Sequence, residues 1–462
     1  MSAKQVFKIS ECQIQPKSRP DSSPKRYELS SWDLPMIPIG PIQKGLLFHI
    51  SSEILPQQLN PIIDKLKSSL SIVLSHFLPL SGRLVTETVE GGGLFTFIRC
   101  GDEDTGAGFH RAVADKISVA DVLNSRYSPT YVRDFFPYNG MINHEGHHLP
   151  LLAVQVTELI DGIFLGCTVN HILCDGTSFW NFMRTWSDVV SGKLFFSDDQ
   201  KRPLLIHNTS SPIKLPFQNL DTLIDKSESS VPDLQDKIFH FSPASIARLK
   251  KQVNSEIVTV DIETDNRKSK APVISSLLSV SALIWRSITR ARCLPKTELV
   301  SFKLACNYRS RMLPPLPPTY FGNCIGAVST VPIPSGDLLA RNLGQTASLL
   351  HGIVSSVKDD VIIRKEIDRY VSEPVFFSIS GFAKNNGVGM TSSPRFEVYE
   401  CEFGLGKPFG VMIGGANIYD GKVTSFPGRE GHGSMDMVIC LSPETMAKLE
   451  GDLEFLNFIE VI

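Results

Sequence analysis

The sequence predicts two α/β domains of similar size with a ligand cleft between them. Chain length is the first reason. A chain of 462 residues exceeds what one ordinary core holds, so two units of roughly 200 residues each are expected. The second reason is that strand-like and helix-like patterns are mixed throughout rather than segregated. The third is a polar central segment, rich in Ser, Asp, Lys and Pro and without sustained periodicity, which reads as a crossover linker. The expected division is therefore 1–195, a linker over 196–236, and 237–462. Clefts at domain interfaces are where ligands tend to bind.

The elements follow in order. Residues 17–25, rich in Pro and Ser, read as a loop. From Pro56, the residues Leu59, Ile62, Ile63, Leu66, Leu70, Val73 and Phe77 recur at helical spacing, and this helix is expected to end before Pro79. Residues 151–159 (LLAVQVTEL) and 163–169 (IFLGCTV) read as strands, joined by a turn at Ile160-Asp161-Gly162. The second strand runs into His171. Past Gly176, the spacing of Phe179, Phe182, Met183, Trp186 and Val189 predicts an amphipathic helix. In the second half, Ser242-Pro243 and Ser442-Pro443 each pair an N-cap residue with proline at the first helical position. Leu277, Val280, Leu283, Ile284 and Ile288 predict a helix over 276–291.

Composition narrows the function. Hydrophobic residues make up 42%, charged residues 20%, and the formal charge is −2. Such a balance fits a globular chain and gives no basic face for nucleic acid. No apolar run approaches the roughly 20 residues that span a bilayer. The N-terminal stretch lacks the apolar core of a secretory signal, so a cytoplasmic location is expected. Nine scattered cysteines without a CxxC pair fit reduced thiols, and no metal site is indicated.

The strongest chemical signal is HILCDG at 171–176. A histidine titrates near physiological pH and suits proton removal from a hydroxyl or amine. A carboxylate four residues on suits holding the turn that carries the ring. The HxxxD spacing alone is weak, because HGSMD at 432–436 matches it too. Only the first copy lies between a hydrophobic strand and an amphipathic helix, and only it is followed by glycine. Gly176 is expected to permit a tight turn and close backbone approach by a ligand. The plainer reading makes His171 a core histidine and Asp175 a helix N-cap. A capping Asp175 is compatible with catalysis, since the cap fixes the turn.

Further segments then fall into line. LSSWDLPM and HFLPLSGRL lie near the N-terminus. HILCDGTSFWNFMRTWSD follows, then SSLLSVSALIWRS, ACNYRSRMLPPLPPTYFGNC and CEFGLGKP. In this order they resemble the plant BAHD acyltransferases, the HxxxD-type CoA-dependent family, over nearly the whole chain. LSSWDLPM looks like that family's opening strand. The resemblance implies two chloramphenicol-acetyltransferase-like domains with an active-site channel at their interface. It implies acyl-CoA as co-substrate, no metal and a monomer. It makes His171 the general base in a direct reaction of both bound substrates. Asp175 would turn away from the substrate and hold the turn through an arginine. Arg309 and Arg311 are the candidates, and Gly176 and Glu402 would help to support the site. Ser276 is carried over as a contact to CoA, Lys407 just after the glycine loop is a candidate for its phosphates, and Gly404, Leu405 and Gly406 complete the set of candidate contacts to the acyl-CoA. Tyr320 and Phe321 are expected in the core.

Two departures stand out. Glu402 replaces the family's Asp, so an ion pair with Arg309 or Arg311 would have altered geometry. Leu405 replaces its Trp, removing an indole donor and a large apolar wall. The backbone amides of Gly404, Leu405 and Gly406 remain possible donors to an oxyanion. The leading expectation is acyl transfer from acyl-CoA to a hydroxyl or amine of a small specialised metabolite. The competing one, for which Leu405 is the main reason, is a family member that has lost acyl transfer and acts as a lyase or small-molecule-binding protein.

Overall fold

The computed structural model describes residues 4–19, 23–101, 106–194, 212–224, 233–264 and 272–460. Two six-stranded mixed sheets form its frame. Their strands, in chain order, are β1 Phe7–Ile14, β2 Ile42–His49, β3 Ala107–Val113, β4 Leu152–Leu159, β5 Gly162–Val169, β6 Gln235–Phe241, β7 Phe302–Asn307, β8 Ile325–Ser329, β9 Val388–Ser392, β10 Gly410–Ile413, β11 Lys422–Pro427 and β12 Met435–Leu441. The first sheet runs β1-β3-β4-β5-β2-β10 and the second β8-β7-β9-β11-β12-β6. Strand β10 comes from beyond residue 237, yet it pairs with β2 through Gly410 opposite Leu47 and Ile413 opposite Lys44. The second half of the chain therefore completes the first sheet. Most of the expected linker, at 195–211 and 225–232, lies outside the described residues.

Local sequence explains the elements that matter for the site. Strand β5 is buried at every residue, which is why its sequence is a continuous apolar run rather than an alternating one. The β4–β5 turn is Ile160-Asp161, with Gly162 already paired opposite Leu159. Glycine is needed there for space, because a Cβ would stand 2.2 Å from the Phe48 carbonyl oxygen.

Helix α1, Leu55–Leu74, buries Leu59, Ile63, Leu66, Leu70 and Val73. It stops before Phe77, whose ring instead meets Phe182 and Phe321 edge-on at 5.5 and 5.0 Å. Helix α2, Gly176–Val190, buries Phe179, Phe182, Met183 and Trp186 in the same core as α1 and the first sheet. Helices α3, Pro243–Thr264, and α4, Ser276–Ala291, close the second core. There Trp285 and Ile284 pack with Phe302, Val423 and Met437.

The segment 29–36, expected as an opening strand, is instead a turn followed by a short 3-10 helix at Leu34–Met36. Asp33 directs that turn by accepting from the backbone and hydroxyl of Ser30 at 2.8 and 2.6 Å. Short polar side chains that bond their own backbone favour turns over strands.

Candidate active site

A cavity of about 350 Å³ lies between the two sheets, and His171 lines it together with Gly176, Thr177, Ile42, Phe382 and Met390. The strand–turn–helix plan read from HILCDG holds. Strand β5 ends at Val169, a turn carries His171, and α2 starts at Gly176.

The backbone of His171 is held at both ends. Its N–H donates to Asn143 Oδ1 at 2.8 Å, and its carbonyl accepts from Asn323 Nδ2 at 2.8 Å. Asn143 is fully buried and spends its own amide N–H groups on the carbonyls of Met36 and Gly40. Asn323 also donates to Asp33 Oδ1 at 2.8 Å. The imidazole itself is less constrained, and its buried Nδ1 has no partner of full hydrogen-bond geometry. Burial holds the ring's pKa below the ordinary histidine value, so it is neutral at physiological pH. Its own carbonyl, Asp175 and Asn323 oppose that shift in part.

Asp175 turns away from the cavity and is completely buried. Oδ1 caps α2 by accepting from the N–H groups of Thr177 and Ser178 at 3.0 and 3.1 Å. Arg309 grips both oxygens, at 2.6 Å through Nη1 and 3.0 Å through Nη2. The Cys324 N–H completes the set at 2.9 Å. A carboxylate so surrounded has no capacity left for proton transfer, and its work is to lock the turn. Burial disfavours the guanidinium charge of Arg309, but Asp175 outweighs it and its pKa moves up. Arg309 also reaches Ser178 Oγ and the Gly322 carbonyl, each at 2.9 Å. Residues 309–324 are thereby clamped against α2.

Gly176 is explained differently from expectation. Its backbone is not in the left-handed region, since its φ is not positive. A Cβ would lie 3.2 Å from the ring of Phe396, another wall of the cavity. Glycine here makes room for an aromatic ring rather than for a turn.

Sequence similarity agrees with this geometry. The Transferase family profile matches residues 4–456. An uncharacterized acetyltransferase of Arabidopsis thaliana is 34% identical over 457 residues, covering 97% of this chain and 98% of that one. The Arabidopsis BAHD acyltransferase DCR is 32% identical over 462 residues, covering 97% and 92%. The crystal structure of F. sporotrichioides TRI101 complexed with coenzyme A and T-2 superposes with a TM-score of 0.72 at 19% identity, over 94% of this chain and 99% of the other.

The chain belongs to the BAHD family of CoA-dependent acyltransferases.

Membership makes the departures from expectation instructive. Glu402, which stands where the BAHD motif has Asp, pairs with neither arginine. It meets Lys193 at 2.8 Å, and both side chains are substantially exposed. The longer carboxylate reaches outward to the end of α2, while Arg309 is already taken by Asp175. Arg311 points elsewhere and donates to the Val357 carbonyl at 3.1 Å.

The CEFGLGKP segment is anchored by Phe403, whose N–H donates to Ser187 Oγ at 2.8 Å and whose ring meets Trp186 edge-on at 5.0 Å. Leu405 packs against the first core, and its N–H is spent on the Glu402 carbonyl at 2.8 Å. It is therefore not an oxyanion donor in this conformation. Gly404, Gly406 and Lys407 are exposed, and Lys407 reaches the Arg429 carbonyl at 2.5 Å. None of residues 402–407, nor Ser276, lines the cavity with His171. Tyr320 and Phe321 are buried as expected.

Sequence reading passed over Asp33, Asn143 and Asn323 as site residues. Their partners are 290, 28 and 152 positions away, so no local pattern announced them. Another residue without a role so far is Ser392. It lines the cavity, has a left-handed φ of 68° and carries a buried hydroxyl without a partner.

Among the described residues, no helix is long and apolar enough to cross a membrane.

Proposed function

We propose that the protein transfers an acyl group from an acyl-CoA thioester to a hydroxyl or amine of a small specialised metabolite, with His171 as general base. One observation carries the reading. A histidine kept neutral by burial opens onto a cavity between two sheets, with its backbone pinned and its neighbouring carboxylate fully committed elsewhere.

Nδ1 is sealed beside its own carbonyl, which leaves Nε2 as the basic nitrogen facing the cavity. As the acceptor oxygen or nitrogen bonds to the thioester carbon, its proton moves to Nε2. The tetrahedral intermediate then collapses, the C–S bond breaks, and the CoA thiolate takes that proton back. Ser392, which lines the same cavity and whose buried hydroxyl has no partner, is the proposed donor to the developing oxyanion should its side chain turn toward the cavity. Both substrates bind together, no acyl-enzyme forms, and the enzyme works as a cytoplasmic monomer. Ser276 and the 404–407 loop are left as candidates for CoA contacts outside the cavity.

Leu405 was the reason to consider a lyase or binding protein. Its place against the core rather than on the cavity wall favours acyl transfer over that alternative.

The test is a panel of acyl-CoA donors against hydroxyl and amine acceptors, read by release of free thiol, alongside calorimetry with CoA. The expected result is CoA binding and acceptor-dependent thiol release with at least one donor class. Absence of CoA binding would overturn the reading.

A further inference from the structure

Among the described residues three lysines line the cavity, Lys44, Lys303 and Lys422, and no Asp or Glu does. Two of the ammonium groups are occupied. Lys303 donates to the carbonyls of Gly381 and Phe382, and Lys422 donates to the Ala416 carbonyl at 3.2 Å. Lys44 has only the face of Phe426, 4.7 Å from its Nζ to the ring centroid, and no hydrogen-bond or ion-pair partner among the described residues. Lys44 stands on β2 of the first sheet and Lys422 on β11 of the second, so the two face the cleft from opposite walls.

Burial pulls the pKa of both lysines down, and for Lys44 the charge of Lys422 adds to the fall. Cys440 and Asp236, behind the wall, offset the fall for Lys422 in part, whereas no acidic group offsets it for Lys44. A buried ammonium without a counter-ion is costly, and Lys44 is in that position beside a second cation, Lys422, so the cavity favours a ligand that brings negative charge. The surrounding wall is largely apolar, with Ile39, Ile42, Ile413 and Met390, which suits an organic anion better than a bare inorganic one.

We infer that Lys44 and Lys422 together bind a carboxylate carried by one of the two substrates, and so select for an acidic acyl group or an acidic acceptor. The inference rests on the acyl-transfer reading for the identity of the carrier, but not for the existence of the anion site. With a carboxylate in place, Lys44 gains the partner it lacks, and charge-assisted hydrogen bonds form across the cleft.

The experiment uses the full chain and two arms of calorimetry. The donor arm compares succinyl-CoA with butyryl-CoA. The acceptor arm compares hydroxybenzoates and free amino acids with their methyl esters. In one arm the carboxylate is expected to bind about tenfold tighter or more. That ratio should fall to about one in both Lys44→Met and Lys422→Met, and Lys44→Arg should restore part of it. Because each Met variant removes a buried cation, its Tm in the absence of ligand should rise.

A wild-type protein with no carboxylate preference in either arm would overturn the inference, whatever the variants do. So would a preference that survives both Met substitutions. An equal loss of affinity for CoA itself would place the lysines on its phosphates and overturn it as well. Carboxylate-selective binding without thiol release from any donor would keep this site and remove the transferase reading. Thiol release without carboxylate preference would do the reverse.

Discussion

His171–Asp175 and His432–Asp436 share a spacing, and their surroundings separate them. The first pair sits on a turn between a fully buried strand and a capped helix, with the ring on a cavity and the carboxylate held by five donors. In the second, His432 is exposed, with a left-handed φ of 55° between two glycines that share that conformation. Asp436 lies on β12, where it accepts from Nδ1 of His240 at 2.6 Å. The same residue types four positions apart thus give a buried histidine facing a cavity in one place and a surface loop beside an ordinary strand contact in the other. Chemistry follows from what fixes the turn and what the ring faces, and the motif only permits it.

The two pairs should differ most in rate. His171→Ala should lower turnover on the order of 10²–10⁴ with the fold retained, while His432→Ala should stay within about twofold. Equal effects in steady-state kinetics would erase the distinction.

Stability gives the next largest contrast. Asp175→Ala leaves the buried Arg309 without its counter-charge and should cost about 3–5 kcal/mol in chemical denaturation. Asp436→Ala removes a contact at a partly exposed site and should cost much less.

Asn143→Ala sharpens the picture of how the turn is held. It strands the N–H of His171 and takes one donor each from the carbonyls of Met36 and Gly40, and should cost about 1–3 kcal/mol together with a drop in kcat that exceeds any change in KM. A fall in stability with kcat intact would mean that the pinning is structural only.

The smallest effect is expected at Glu402→Gln. This exposed pair with Lys193 should be worth little, and an unchanged Tm in thermal melts is the expected result.

How far the sequence could be read follows from where each partner sits. The β5–turn–α2 unit was legible because its own signals are local: the apolar run of 163–169, the cap of Asp175 on Thr177 and Ser178, and the helical spacing of Phe179 to Trp186. Arg309 was legible only as one of two arginines. The choice depends on side-chain direction, and Arg311, two residues on, turns to Val357 instead. Glu402 was misjudged because its charge was matched to a known arginine, while Lys193 lay unnoticed just past the end of α2. The Asp33–Asn323–His171 chain joins residues from three distant segments and has no signature in any one of them. Lys44 was hidden for another reason: in Ile42-Gln43-Lys44-Gly45 it resembles an ordinary solvated lysine, and only the closing of two sheets over it makes it unusual.

In the proposed reaction His171, its pKa lowered by burial, takes the acceptor's proton. The direct measurement of that step is the pH dependence of kcat/KM in the wild type and in His171→Ala. Burial lowers the folded-state pKa below 6.5, so protonation, and with it loss of activity, should begin only as pH falls beneath that value. The account requires a single acid limb with an inflection below 6.5, a plateau above it, and no such limb in the residual activity of His171→Ala. A wild-type inflection at or above 6.5, or the same limb persisting without the imidazole, would contradict it.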